Sequence, residues 1–210
     1  MKKMMISLMF AMLALVGCAP NSNLPEGDVK VIQQNLNGIV EILLTSATNN
    51  EMTSSIASMI LPVNEKYEIS LFAEVYEQGE LISTEKILSH TTNTLTRDSI
   101  FHFILHAGHQ GHRSMFAIAE TDLESEDMSN PNFIMTSAEY SAMFNSESMY
   151  ATHIINYGGD LNEEILLAVY ISHQDLNSEI NLYEIEHYRD RSTLQNYERA
   201  VLIKAEITQK

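Results

Sequence analysis

The chain has little of what staples, punctuates or positively charges a protein. Its one cysteine, Cys18, leaves no partner for an internal disulfide, which excludes a disulfide-framework miniprotein. Tryptophan is absent, and four prolines and eight glycines in 210 residues exclude collagen-like and Pro/Gly-rich low-complexity chains. Lysine and arginine number 12 against 28 acidic residues, a formal net charge of −16 at pH 7. So acidic a surface repels phosphate backbones, and nucleic acid is not expected as a partner. No apolar run approaches the roughly 18 residues that a spanning helix needs. What remains is ordinary globular composition, 45% hydrophobic and 19% charged, with enough chain for a well-filled core.

The N-terminus has the three parts of a secretion signal: Lys2 and Lys3, an apolar stretch over 4–16 broken only by Ser7, and the small residue Gly17. Cys18 follows directly, and Leu15-Val16-Gly17-Cys18 resembles the lipobox of bacterial lipoproteins. The resemblance is confined to this segment. It implies that residues 1–17 are a signal peptide, that Cys18 takes a diacylglyceryl thioether, and that the new amino terminus is acylated as well, palmitate being a typical chain. Two fatty chains already anchor a protein stably. The expected location is the extracytoplasmic face of the cell membrane, or the outer membrane where the source has two. Without Lys2 and Lys3 the exported part keeps 10 basic against 28 acidic side chains. Its partnership with the membrane is therefore through the lipid on Cys18 and not through charge, since anionic headgroups repel it. A lipidated Cys18 also rules out cysteine nucleophiles and cysteine-based zinc sites.

Residues 18–28 combine the lipidated cysteine with a flexible tether, APNSNLPEGD, that has two prolines and almost no apolar content. Residues 29–210 carry no internal boundary signal and are expected to form one mainly β extracytoplasmic domain. Its fold class is an antiparallel β-sandwich, or a barrel-like relative, of about nine strands with one or two short helices. In 67–75 the odd positions Tyr67, Ile69, Leu71, Ala73 and Val75 are apolar against Glu68, Ser70 and Glu74. Gln78-Gly79 then turns the chain into a second strand over 81–88. Val201, Ile203, Ala205 and Ile207 alternate in the same way. The run 165–171 is apolar on both faces and is placed at the centre of a sheet with cover on each side.

Further strands are expected at 38–45, 99–106, 113–119 and 149–157, the last ending in a Gly158-Gly159-Asp160 turn. The apolar phase switches between Leu182 and Tyr183, which predicts a β-bulge. Helical spacing of Met52, Ile56, Met59 and Ile60, and of Tyr140, Met143 and Phe144, predicts the short helices. Segments 68–88 and 164–185 resemble each other as hairpins, so two similar halves are conceivable.

One local density of ligand-type residues stands out: His102, His106, His109 and His112 within FHFILHAGHQGH. Imidazole suits Zn²⁺ and Cu²⁺. On a strand His102 and His106 are four residues, roughly 13 Å, apart and cannot share an ion. Only His106, His109 and His112 could converge, across the tip of a hairpin whose turn is 107–112. A polar turn that happens to contain histidines is the simpler account. Glu120, Asp122, Glu124, Glu126 and Asp127 form an acidic run, read as a solvated loop because it lacks the spacing of a calcium-binding loop. The scattered methionines outside the signal read as core filler, and the tyrosines and phenylalanines as core. No nucleophile elbow, zinc-protease helix, phosphate-cradling loop or dinucleotide fingerprint is present. The expected function is thus a lipid-anchored envelope binding or interaction module without catalysis, its ligand or envelope protein partner unidentified. The alternative is an envelope metal-binding protein using the hairpin histidines with Zn or Cu.

Overall fold

Where side chains alternate in polarity, the backbone alternates in burial. A computed structural model describes residues 25–34, 52–95, 99–108, 113–122, 133–141, 149–172 and 182–210. Among the described residues eleven strands run in chain order: β1 Val29–Gln33, β2 Met52–Ile60, β3 Tyr67–Glu77, β4 Glu80–Thr91, β5 Ser99–Gly108, β6 Ser114–Asp122, β7 Phe133–Tyr140, β8 Tyr150–His153, β9 Asn156–Gly159, β10 Ile165–Ser172 and β11 Arg199–Gln209. Two 3-10 helices, Ile185–Arg189 and Arg191–Asn196, separate β10 from β11. One sheet has the order β7-β6-β5-β2-β1-β9 and the other β4-β3-β11-β10-β8. Neighbouring strands are antiparallel throughout. The expected mainly β, antiparallel sandwich is the fold found.

The buried phase of each strand faces the space between the sheets. Tyr67, Ile69, Leu71, Ala73 and Val75 of β3 meet Phe101, Phe103, Leu105, Phe116 and Ile118 of the opposite sheet in one apolar cluster. A polar link joins the sheets as well. The His90 ring on β4 shares hydrogen bonds with Thr136 Oγ1 on β7 (3.0 Å) and Glu120 Oε2 on β6 (3.4 Å). The β3–β4 hairpin closes through Gln78 and Gly79, both at positive φ (50° and 83°), as a type I′ turn demands. A side chain on Gly79 would also strike the Gln195 backbone.

Several expectations need correction. Residues 52–60 are a strand and not a helix: Ser55, Ala57 and Met59 point inward while Ile56 and Ile60 lie opposite Ile104 and Ile100 on the outer face. The expected strand 149–157 is two strands in two sheets. β8 pairs with β10 and β9 with β1, and the chain crosses between sheets at Ile154 and Ile155, whose backbones bond to Leu167 and Gln33. Gly158 and Gly159 belong to β9, in register with Lys30 and Val29 of β1, and the turn follows at 161–162; a Cβ on Gly158 would collide with the Glu26 carbonyl. No bulge occurs at Leu182 and Tyr183, which are not part of a strand and lead into the first 3-10 helix. Register shifts fall instead between Leu71 and Phe72, Val75 and Tyr76, and Leu166 and Ala168. All eight residues of β10 are buried as expected, but the strand is fourth of five and not central. Glu120 and Asp122 are on β6 and not in a loop. The strand candidate 38–45 and the remainder of the second helix candidate beyond Tyr140 and Ser141 lie outside the described residues.

Candidate functional site

The outer face of the five-stranded sheet is mostly apolar over three rungs, with one acidic and one basic side chain among them, and the chain folds back to cover it. Register places Glu74, Leu202 and Val169 on one rung, Phe72, Lys204 and Leu166 on the next, and Tyr76, Ala200 and Ile171 on the third. The segment 182–198 crosses this face. Ile185, Tyr188, Leu194 and Tyr197 are buried from it, and the first 3-10 helix packs on β10. The Asp190 side chain accepts from the Ser192 backbone N–H at 3.0 Å and starts the second 3-10 helix, which puts Arg189 and Arg191 on either side of the junction.

Under this cover lies a four-membered ion network. Lys204 Nζ donates to Glu74 Oε1 and Glu164 Oε2, each at 2.6 Å. Arg191 donates to Glu164 Oε1 at 2.6 Å, to Glu74 Oε2 at 3.3 Å and to the Tyr188 carbonyl at 2.7 Å. The Tyr76 hydroxyl donates to Glu74 Oε2 at 3.0 Å. Burial by itself favours the neutral forms of Lys204, Glu164 and Arg191. For Lys204 it is outweighed by the two carboxylates, which hold the ammonium above its ordinary range. For Glu164 it is outweighed by Lys204 and Arg191, which hold the carboxyl below its ordinary range. Arg191 is likewise held up by Tyr76, Glu164 and Glu74 against its burial. Lys204, Glu164 and Arg191 therefore stay ionised through neutrality and are suited to fixing charge and not to acid–base chemistry.

A cleft of about 340 Å³ opens beside the network, lined by Glu163, Glu164, Leu166, Arg189 and Arg191. Leu166 is buried and supplies the apolar wall. Glu163 Oε2 accepts from the Tyr157 hydroxyl at 2.8 Å. Burial and then this carboxylate push the Tyr157 hydroxyl up to about 12, so it remains a donor. The Arg189 guanidinium lies over the Tyr157 ring, 5.4 Å from its centroid, with Nε 2.6 Å from Glu186 Oε2. The four charged side chains sum to zero, in a chain of net charge −16.

The histidine hairpin exists, with β5 and β6 paired from Ser99 to His106, but the strand carries on through Ala107 and Gly108, which were expected in the turn. Ser114 Oγ accepts from the Gly108 N–H at 3.0 Å. His102 and His106 share the outer face of the six-stranded sheet, and each ring Nδ1 is bonded across to β2: His102 to Ser58 Oγ at 2.8 Å, His106 to Ser54 Oγ at 2.6 Å. Desolvation lowers the pKa of both rings. His109 and His112 lie outside the described residues, as does Cys18. Among the described residues no group of three or more His, Cys, Asp or Glu is arranged to hold a metal ion. No described helix is long and apolar enough to cross a membrane.

The chain matches no family model, no curated protein and no solved structure. Sequence reasoning missed the cleft. Its residues come from 163–166 and 189–191, and the network behind them reaches Glu74 and Lys204. The available signal was Lys204, a cation alternating with Leu202 on a strand whose two faces are both largely apolar.

Proposed function

We propose that the chain is a lipid-anchored cell-envelope binding module, tethered through Cys18, that holds a small polar ligand in the cleft beside Arg189 and Glu163 and performs no chemistry on it. The observation that carries this reading is the cleft itself: an apolar wall and four formal charges, backed by ions that packing has already fixed in place. Such pre-positioned charges beside an apolar surface recognise a ligand without reorganising. The lipobox-like segment supports the address, and the missing catalytic motifs support the absence of chemistry.

Two measurements test it. Changing Cys18 to Ala is expected to stall processing or release the chain from the membrane fraction, and normal processing with sedimentation at high salt would remove the anchor from the proposal. An NMR screen of the ¹⁵N-labelled chain against small polar metabolites is expected to give shifts confined to 157–166 and 185–191. Shifts confined to another face would refute the cleft as the site.

A further inference from the structure

We infer that the cleft takes a small zwitterion with a carboxylate and an ammonium group close together, the chemistry of a free α-amino acid; this rests on the cleft being the binding site. Four charges line it, but they are not equally engaged. Arg191 and Glu164 are tied to each other and, through Lys204 and Glu74, to the sheet. Their capacity is largely used.

Arg189 and Glu163 differ. Arg189 is fixed by its Nε contact to Glu186 and by the Tyr157 ring beneath it, and among the described residues no acceptor meets its two terminal nitrogens. An oriented guanidinium with those nitrogens available is a fork for a carboxylate. Glu163 gives Oε2 to the Tyr157 hydroxyl, and among the described residues no donor meets Oε1. That oxygen suits an ammonium. Tyr157 therefore steadies both groups, one through its hydroxyl and one through its ring.

Charge decides between ligand classes. A simple anion must approach a chain of net charge −16 and sit beside Glu163 and Glu164, while a simple cation sits beside Arg189 and Arg191. A zwitterion offers each its opposite and meets no net repulsion. The volume, about 340 Å³, is near the lower end of ligand sites, roughly 300–1,000 Å³, and fits an amino acid better than a nucleotide or an oligosaccharide. Leu166 leaves an apolar wall for the ligand's side chain.

The test is calorimetric titration of the full chain in detergent micelles with L-alanine, L-leucine and L-glutamine, using propionate and propylamine as half-ligands and glucose and maltose as neutral probes. At least one amino acid is expected to bind one to one, with both half-ligands at least about tenfold weaker. Arg189→Lys keeps the charge and loses the fork, and Glu163→Gln loses the charge. Each is expected to weaken binding by about tenfold or more at unchanged thermal stability. Failure of all three amino acids to bind, or propionate binding as tightly as they do, overturns the zwitterion. A sugar that binds instead, and is lost in Arg189→Lys, overturns the zwitterion while keeping the cleft. Amino-acid binding that neither substitution affects overturns the cleft as the site.

Discussion

The two sheets present outer faces built on different electrostatics. On the six-stranded sheet the rungs Ser54–His106, Ile56–Ile104 and Ser58–His102 stack hydroxyl–imidazole pairs around an isoleucine pair, half-buried and without other cover among the described residues. On the five-stranded sheet the corresponding surface carries Glu74 and Lys204, with Glu164 beside them, and Arg191 of the folded-back segment closes the network. The difference follows from desolvation. A neutral imidazole bonded to a serine tolerates partial burial, whereas a carboxylate or ammonium removed from water must be matched by opposite charge and hydrogen bonds on every side. The histidine face is thus satisfied pairwise. The ionic face is satisfied only as a network, and at its rim it leaves Arg189 and Glu163 with unused bonding capacity.

The sharpest way to break the ionic face is to remove its most buried member. Lys204 is 6% exposed in its side chain and faces two carboxylates, so Lys204→Ala leaves Glu74 and Glu164 facing each other with only Arg191 between them. The expected loss is about 3–5 kcal/mol, measured by urea unfolding. Removing Glu74 and Lys204 together in favour of apolar residues should recover much of it, because no unpaired buried charge remains. If Lys204→Ala costs under about 1 kcal/mol, the network behaves as a surface ion pair and the contrast between the faces disappears.

Acid separates the desolvated histidines, one of them on the five-stranded sheet itself, from the ion network by pH window. His153 on β8 is half-buried beside the Tyr170 hydroxyl, and desolvation lowers its pKa from 6.5 to about 4. The folded state holds this ring neutral while the unfolded chain protonates it near 6.5. Its contribution is therefore complete above 6.5 and is lost as pH falls from there toward 4, by about 3 kcal/mol in all. His102 and His106, also lowered, lose stability with the same sign. Glu164 is a carboxylate with a lowered pKa, so its contribution holds above 4.5 and is lost only below that. Urea midpoints between pH 7 and 4 should fall in the parent chain and fall less in His153→Asn. An unchanged slope in that variant would show that the half-buried imidazole is not responsible.

The same contrast explains what the sequence disclosed. β3, β5 and β11 were legible because one phase of each is apolar and buried, Tyr67 through Val75 on β3 for example. β2 read as a helix because Ile56 and Ile60, although on the outer face, find apolar partners in Ile104 and Ile100. Apolar residues on both faces erase the period of two, and Met52, Ile56, Met59 and Ile60 then mimic a helical stripe. The corner at Ile154 and Ile155 was hidden for a related reason: each residue bonds to a different sheet, and nothing local announces the change of partner. The histidines drew notice by density in sequence, yet the two that are described, His102 and His106, are bonded to serines. The ions had no density, since the Glu74–Lys204 pair spans 130 positions and exists only once β3 and β11 are in register.

The smallest expected effect lies on the histidine face, and it tests whether that face is held by pairs. Ser58 Oγ and His102 Nδ1 share a 2.8 Å hydrogen bond across directly opposed positions of β2 and β5. Both atoms are half-buried and neither carries a charge that must be compensated. Removing either partner alone should cost about 1 kcal/mol, the value of a neutral hydrogen bond partly replaced by water. Ser58→Ala combined with His102→Ala should cost less than the sum, with a coupling of roughly 0.5 kcal/mol or more, because the bond is lost only once. Ser58→Ala paired with His106→Ala serves as the control and should be additive, since His106 is bonded to Ser54. Additivity in the first pair would mean that the serines and histidines sit side by side without depending on each other. Coupling confined to that pair would identify the outer face of the six-stranded sheet as a ladder of independent neutral rungs, in contrast to the network on the opposite sheet, where removing one ion disturbs every other.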